Sequence, residues 1–357
     1  MRFLLLFIPF IINAANLSFE LFKKKSNEKG NTLLIIGGVH GDEPGGYFAP
    51  AFLEKYYEIK SGNVWIIPDL NADSIMANNR GLYDDMNRKF SSIEKNDPDY
   101  DTVTKVKEII LDKKVDLILN LHDGYGFYRN KYENAIFNPN AWGQATIIDQ
   151  EKITGLDKFG NLDEIANQVN DSLNNDNLFK DYHSFGVKNT ETKFKDEQMQ
   201  LSLTFFAVTH NKPAFAIETS KNITDLTHKV IYQLKSIEEF MNIMHIKFER
   251  KFDINNYDDV QKKISDFGKV RVNDNIVFDL SDIKNYTKYV PLKESDNVFK
   301  FEHSLGAYRF IDGRYEIYIG NIKATEFYPQ IFEIAKAEKN IKIEVDGKII
   351  ETPFATQ

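Results

Sequence analysis

The chain has 357 residues, of which 42% are hydrophobic and 27% are charged, so it is neither disordered nor collagen-like and has room for two folded units. It contains no cysteine, which excludes disulfides, a thiolate nucleophile and thiolate-bound metals, so any metal would need the seven histidines and the carboxylates. The net charge of −8 is the reverse of the basic surface that nucleic-acid-binding proteins usually carry, so we expect no nucleic-acid partner.

Residues 1–15 predict a secretory signal peptide. Arg2 is followed by an apolar run over residues 3–12 and then by Ala14 and Ala15, which is the order of regions in such signals. The run is too short to cross a bilayer core of roughly 30 Å as a helix. No later stretch is long and apolar enough either, so we expect an exported, periplasmic protein without a transmembrane segment in its mature form. The alternative is a buried N-terminal strand.

Apolar strands alternate with amphipathic helices between residues 31 and 248. The predicted strands are 32–39, 64–70, 115–121 and 213–217. The predicted helices are 47–59, 101–112, 162–178 and 223–248. This alternation predicts an α/β fold with a mostly parallel mixed sheet flanked by helices. Ligands of such sheets bind beyond the carboxyl ends of the strands, so we expect a site at those ends.

The pattern changes after about residue 252. Short segments rich in Val, Ile and Tyr cover 270–272, 275–278, 315–319 and 341–345. Turn sequences separate them, among them Asn273-Asp274, Asp312-Gly313 and Asp346-Gly347. Such segments predict a smaller β-rich domain. We place the boundary near residue 250, with the α/β domain over 16–249 and the β-rich domain over 250–357.

His40 and Glu43 follow the first predicted strand directly. An imidazole and a carboxylate three residues apart at a strand exit can turn toward one point, and this donor pair suits Zn²⁺. A single pair of this kind is weak evidence, and an ordinary loop histidine is the alternative.

His122 follows the third predicted strand and strengthens the case. It would complete a site with two histidines and one carboxylate, which leaves one coordination position open for water, as catalytic zinc requires. The five other histidines are predicted to be structural or solvated.

A cluster of charged and amide side chains lies between these two motifs. Arg88 offers a planar fork that can hold a carboxylate, so Asn87 and Arg88 together, with Arg80 nearby, can grip the terminal carboxylate of a substrate. Asp85 can accept a hydrogen bond from a metal-binding imidazole and fix its tautomer. The alternative is a cluster of surface salt bridges.

Glu218 ends the fourth predicted strand. A carboxylate at this edge of the sheet can act as a general base beside a metal site and then pass the proton to a leaving amine. The alternatives are a helix cap and an ion pair in front of the next helix.

The ordered set of His40, Glu43, Arg80, Asn87-Arg88, His122 and Glu218 resembles the zinc carboxypeptidase family, over about residues 30–245. The loop around His40 and the run from Asp85 to Arg88 look closest to the compact branch near the succinylglutamate desuccinylases. More narrowly, the whole chain resembles the periplasmic cell-shape carboxypeptidases of helical bacteria. Some of those replace the first zinc histidine, whereas His40 keeps the general pattern.

The resemblance implies one Zn²⁺ on His40, Glu43 and His122, with Glu218 as the base, in a catalytic domain over residues 16–249. It implies that Asn87 and Arg88 hold the substrate's terminal carboxylate, while Arg80 serves either that carboxylate or the oxyanion.

The substrate that the resemblance implies is the peptidoglycan stem tripeptide, cut between D-glutamate and meso-diaminopimelate. Trp142 and Thr204 would contact this substrate, with ordinary packing as the alternative. Two other functions stay open: deacylation of a small N-acylated acidic amino acid, and muropeptide binding without catalysis. Protein partners are not indicated.

Overall fold

The computed structural model describes residues 19–180, 183–331, 339–345 and 347–354, so the predicted signal peptide lies outside the described residues. The strands of the α/β part are β1 (Phe22–Lys25), β2 (Thr32–Ile36), β3 (Tyr57–Ser61), β4 (Asn63–Ile67), β5 (Leu117–Gly124), β6 (Phe127–Tyr128), β7 (Phe137–Asn138), β8 (Ala145–Ile148), β9 (Gly186–Asn189), β10 (Ala214–Ser220) and β11 (Lys247–Arg250). Seven of them form one sheet in the order β1-β4-β2-β5-β10-β8-β9.

The helices are α1 (Pro44–Tyr56), α2 (Ala72–Met76), α3 (Tyr100–Ile110), α4 (Leu162–Asn175), α5 (Thr192–Lys195), α6 (Leu203–Thr209), α7 (Leu226–Ile243) and α8 (Tyr257–Ile264). Single 3₁₀ turns cover Met86–Arg88, Asn177–Phe179 and Met199–Leu201. Within the part of the chain that the structure describes, no helix combines the length and hydrophobicity needed to cross a membrane.

The sheet is mixed and mostly parallel, as predicted. Strands β4, β2, β5 and β10 run parallel to one another, whereas β1 and β8 pair antiparallel with their neighbours β4 and β10. Every residue of β2 and β5 is buried, which explains their nearly continuous apolar sequences. Their carboxyl ends lie side by side at one edge of the sheet and place the residues that follow them close together.

One predicted helix is shorter in the structure. The predicted helix over 223–248 ends at Ile243, because His245 adopts a left-handed conformation (φ 55°), after which β11 pairs with β3. His245 therefore lies beyond the helix. The lysines at 23–25 belong to edge strand β1, where Lys24 donates to the Tyr57 carbonyl and Lys23 lies 3.8 Å above the Trp65 ring.

The C-terminal part consists mainly of strands: β12 (Lys269–Val272), β13 (Ile276–Asp279), β14 (Tyr286–Leu292), β15 (Phe299–Phe301), β16 (Gly306–Ile311), β17 (Arg314–Ile319), β18 (Ile322–Ile331), β19 (Lys339–Val345) and β20 (Lys348–Phe354). They form sheets ordered β13-β12-β15 and β14-β18-β17-β16, and the hairpin β19-β20. Asn273, Asp274 and Asp312 adopt positive φ in the predicted turns. The position of the domain boundary near residue 250 stays a prediction.

The β-rich part packs directly on the α/β part. One continuous cluster of buried apolar side chains joins the two, from Leu33 in β2 to Phe327 in β18. The turn between β17 and β18 lies against the start of α1: a Cβ added to Gly320 would lie 3.1 Å from the Tyr47 ring. Next to it, Asn321 donates to Oδ1 of Asn78, just before Arg80. The β-rich part therefore borders the segments that carry the predicted site.

Candidate metal centre and active-site cleft

The loop from residue 37 to residue 43 carries the first two candidate ligands from the end of β2 to the start of α1. It packs so closely on α2 that a Cβ on Gly41 would lie 2.0 Å from the Ser74 carbonyl oxygen, so only glycine fits there. The Gly41 amide also donates to the Asn79 carbonyl at 3.0 Å. This packing holds the backbone on either side of His40 and Glu43 in place.

Glu43 lies between His40 and His122 where β2 and β5 end. Its Oε1 lies 3.0 Å from Nδ1 of His40, and its Oε2 accepts a hydrogen bond of 2.7 Å from Nδ1 of His122. Each of the three residues is only 3% exposed. Side chains that are 79 residues apart in sequence, Glu43 and His122, therefore share one buried contact.

A metal ion fits this group. One ligand atom from each residue lies within 4.8 Å of the others. Nδ1 of His40 and Nε2 of His122 are buried and have no hydrogen-bond partner among the described residues. Buried polar atoms normally have a partner, so these two nitrogens are available for coordination. Two imidazoles and a carboxylate suit zinc and leave a fourth position open.

The two imidazoles differ in protonation. Burial lowers the pKa of His40, but the carboxylates of Glu43 and Asp85 outweigh that effect and raise it to about 9. At His122 burial prevails, and the pKa is lowered despite Glu43. His122 is thus neutral, as a metal ligand must be, whereas His40 releases a proton when a metal binds.

Asp85 stands behind His40. Its Oδ1 accepts a hydrogen bond of 2.7 Å from Nε2 of His40, and its Oδ2 accepts one of 3.0 Å from Nε of Arg80. Burial would raise the pKa of Asp85, but its hydrogen bond to His40 and the nearby guanidinium groups hold it well below the usual range. The ionised Asp85 therefore orients the His40 ring with Nδ1 toward Glu43.

Arg80, Asn87 and Arg88 line the same cleft as the three candidate ligands. Arg80 donates to Oε1 of Glu43 at 3.1 Å, and 45% of its side chain is exposed. Oδ1 of Asn87 accepts from the Leu203 amide at 3.0 Å, so the Asn87 NH₂ group is the one left to bind a ligand. Two guanidinium groups and an amide donor beside the candidate metal centre can hold a carboxylate.

Glu218 faces His122 across the pairing of β5 and β10 and also lines the cleft. A Cβ on Gly124 would lie 2.8 Å from Oε2 of Glu218, so the glycine leaves room for this carboxylate. Burial and the negative charge of Glu43 raise the pKa of Glu218 well above the usual value. A carboxyl group with a raised pKa binds a proton more readily than an ordinary carboxylate, as a general base must. The helix-cap alternative is wrong, because Asp225 caps α7.

Trp142 and Thr204 also line the cleft, so they lie where a bound substrate would touch them. Asn120, Tyr125 and Lys221 also line the cleft, and none of the three was predicted from the sequence. Lys221 pairs with Asp42 at 2.6 Å and lies 3.6 Å from Oε1 of Glu43. Lys221 could have been predicted from its position three residues after Glu218, at the end of the same strand.

Asp123, beside His122, connects three elements beneath the site. Its Oδ2 accepts from the Gly45 amide of α1 at 3.0 Å and pairs with Nζ of Lys229 in α7 at 2.9 Å. Its Oδ1 accepts from the Thr219 hydroxyl of β10. This buried ion pair holds α1, α7 and the two strand ends together.

Comparison with known proteins identifies relatives of the chain. A family model for the catalytic part of the carboxypeptidase controlling helical cell shape matches residues 5–264. A search of curated proteins found no match. The product-bound structure of the cell shape determinant protein Csd4 from Helicobacter pylori is 32% identical, covering 94% of this chain and 82% of that one with a TM-score of 0.87.

Two further Csd4 structures agree with this result. The tripeptide-bound form is 32% identical over 94% of this chain and 83% of that chain, with a TM-score of 0.87. The mDAP-bound form, described as a D,L-carboxypeptidase, is 33% identical over 93% of this chain and 81% of that chain, with a TM-score of 0.86.

Proposed function

Because this chain belongs to the family of carboxypeptidases that control helical cell shape, we propose that it trims peptidoglycan stem peptides from their C-terminal end. The bond cut is that between D-glutamate and meso-diaminopimelate, so a tripeptide becomes a dipeptide. The observation that carries the proposal is the single cleft in which a buried His-Glu-His group meets Arg80, Asn87 and Arg88. The similar Csd4 structures with bound tripeptide and bound mDAP support this choice of substrate.

Zinc would be held by His40, Glu43 and His122, one ion per chain. When bound, it supplies a Lewis acid that polarises a carbonyl group and lowers the pKa of water. Glu43 contributes the one anionic ligand, and Asp85 keeps the His40 ring in the orientation that presents Nδ1. Calcium and magnesium suit this site less well, because they prefer oxygen ligands.

The remaining residues bind the peptide and move the proton. The Asn87 NH₂ group and the Arg88 guanidinium hold the terminal carboxylate, so that only a chain end fits. Glu218 takes a proton from the attacking water on its carboxylate and returns it to the amine that leaves. The Arg80 guanidinium lies beside Glu43, where it can stabilise negative charge on the carbonyl oxygen, an effect commonly worth a few kcal/mol per donor.

Replacing Glu218 tests the proposal. Glu218→Gln keeps the size of the side chain but removes the base, so hydrolysis of the stem tripeptide should fall by at least about 10²-fold while zinc content is unchanged. Mass spectrometry of the digested peptide and metal analysis of the purified protein measure the two effects. Glu294→Gln, at an exposed position in the β-rich part, is the matched control. Wild-type turnover by Glu218→Gln would show that another group is the base.

The same assay separates the two rival functions. A deacylase of a small acidic amino acid would hydrolyse succinylated glutamate and leave the tripeptide intact. A non-catalytic binding protein would bind the tripeptide without loss of tripeptide or gain of dipeptide. Either result would contradict the proposal.

We also propose that residues 1–15 direct the protein to the periplasm, where its substrate is. The apolar run after Arg2 supports this proposal. The mass of the protein recovered from the periplasmic fraction should correspond to a chain that starts at Asn16. An intact N-terminus on cytoplasmic protein would contradict it.

A further inference from the structure

The floor of the cleft is formed by side chains two residues before the reactive ones. On β5 and β10, His122 faces Glu218 in register, and one row deeper Asn120 faces Ala216. Ile147 of β8 continues this deeper row, because it pairs with Ala216. All three floor residues line the cleft, since alternate residues of a strand point to the same face. Asn120 is therefore the one polar side chain in a row with alanine and isoleucine.

The hydrogen-bonding groups of the Asn120 side chain are unused within the described part of the chain. It is 1% exposed, and among the residues that the structure describes neither its Nδ2 nor its Oδ1 has a hydrogen-bond partner. A buried amide without partners destabilises a fold, and a leucine of similar size would fill the same space without that penalty. The neighbouring strand residues Ile118, Leu119 and Leu121 are apolar and buried, so the position itself does not require a polar group.

We propose that Asn120 is a specificity-determining residue that binds the polar end of the side chain of the substrate's C-terminal residue. The inference rests on the proposed function, because Asn87 and Arg88 must hold that residue by its carboxylate. Its side chain then extends over Ala216 and Ile147 toward the amide.

The chemistry of the amide defines the group that it accepts. Its Oδ1 accepts a hydrogen bond and its Nδ2 donates, so a partner that satisfies both carries a donor and an acceptor. An apolar stem that ends in an ammonium and a carboxylate, as in diaminopimelate, meets both needs. Lysine would satisfy only Oδ1, and norleucine would satisfy neither atom. Sites built to hydrogen-bond a substrate discriminate strongly against analogues that lack the group.

The test compares three tripeptides that end in diaminopimelate, lysine or norleucine. We expect wild-type kcat/KM to fall in that order. Asn120→Leu should lower kcat/KM for the diaminopimelate peptide by about 10–100-fold and leave the norleucine peptide unchanged or improved. Asn120→Asp keeps the acceptor but repels a carboxylate, so it should favour the lysine peptide. Asn170→Leu, at a buried asparagine outside the cleft lining, is the control and should keep the wild-type order.

A second measurement separates binding from support of the fold. The melting temperature of Asn120→Leu should equal or exceed that of the wild type, because the substitution removes an unpaired buried amide. A lower melting temperature together with equal losses on all three peptides would assign Asn120 a structural role and overturn the inference, as would an unchanged order of preference in Asn120→Leu.

Failure of the proposed function would look different, because the wild-type protein would then cleave none of the three peptides. Thermal-shift measurements with free diaminopimelate, lysine and norleucine would still show whether Asn120 binds the side chain of this residue. Selective stabilisation by diaminopimelate that Asn120→Leu loses would support the role of Asn120, and its absence in the wild type would overturn it.

Discussion

Asp85 shows how much of the site depends on one carboxylate. It contacts His40 through Oδ1 and Arg80 through Oδ2, and Oδ1 also accepts from the Asn87 amide at 2.9 Å. One side chain thus orients the candidate metal ligand His40, the Arg80 guanidinium and the start of the turn that carries Asn87 and Arg88. The sequence pattern suggested that Asp85 approaches an imidazole, and the fold shows that this imidazole is His40.

Removing the charge of Asp85 should weaken metal binding. Asp85→Asn makes a poorer acceptor for Nε2 of His40, so the affinity for zinc should fall by about 10–100-fold. Competition with a chelator of known affinity measures the change. The neighbouring Asp84→Asn is the control, because Asp84 is exposed and its positive φ of 67° suits asparagine. Equal zinc affinities in Asp85→Asn and wild type would contradict the role given to Asp85.

Elements of the α/β part were predictable where their sequences are apolar on both faces or clearly amphipathic. The four predicted strands correspond to β2, β4, β5 and β10, and the four predicted helices to α1, α3, α4 and α7. Strand β9 was not predicted, because every residue in it is only partly buried and its partner β8 is distant in sequence. Helix α6 has seven residues, mostly apolar, a pattern that strand and helix share.

The site was predictable to the extent that its residues stand at strand ends. His40, His122 and Glu218 each follow or end an apolar strand, so their convergence at one sheet edge follows from the parallel arrangement. Asn120 was not predictable, because it lies inside an apolar strand and its direction depends on the register with β10. No local sequence pattern determines the register in which β5 pairs with β10.

Helix α7 contributes to the site through Lys229. Its ammonium group is buried against Asp123, and the two side chains are 7% and 0% exposed. Lys229→Met would leave the Asp123 carboxylate buried without its partner, so the free energy of unfolding should fall by about 3–5 kcal/mol. Urea denaturation measures this loss.

Two further variants test whether the loss of stability in Lys229→Met comes from the broken ion pair. Adding Asp123→Asn should recover part of the stability, because no unpaired charge remains. Lys235→Met removes a lysine from the same helix whose partner Asp176 is 38% exposed, so it should cost less than about 1 kcal/mol. A small effect of Lys229→Met, or no recovery in the double variant, would argue against a stabilising ion pair.

Across the whole molecule, the β-rich part is joined to the α/β part through groups that respond to pH. His303 lies near Lys55 of α1 and Asp266, which pair with each other at 2.8 Å. Burial and the positive charge of Lys55 lower the pKa of His303 from 6.5 to about 4. Its Nδ1 accepts a hydrogen bond from the Leu305 amide at 3.1 Å, which requires an unprotonated nitrogen.

Acid should therefore weaken the fold through His303. Below pH 6.5 the unfolded chain binds a proton that the folded chain does not bind until about pH 4, so stability falls as the pH falls through this range. His303→Asn keeps an acceptor for Leu305 but does not titrate. It should reduce the loss of stability between pH 7 and pH 4 by up to about 3 kcal/mol.

Denaturation of wild type and His303→Asn across this pH range measures the difference. The exposed His245→Asn is the control, and we expect it to keep the wild-type slope. Parallel stability curves for wild type and His303→Asn would contradict this role of His303.

The two-residue spacing along β5 and β10 has a consequence for how relatives of this protein diverge. Residue 122, a candidate metal ligand, pairs in register with residue 218, the proposed base, whereas residues 120 and 216 lie one row below them on the same strands. If Asn120 has the role that we propose, a substitution in the lower row would change which terminal residue is accepted and leave the reacting groups where they are. A duplicated gene could thus acquire a new substrate through one or two mutations, with its hydrolytic machinery inherited intact.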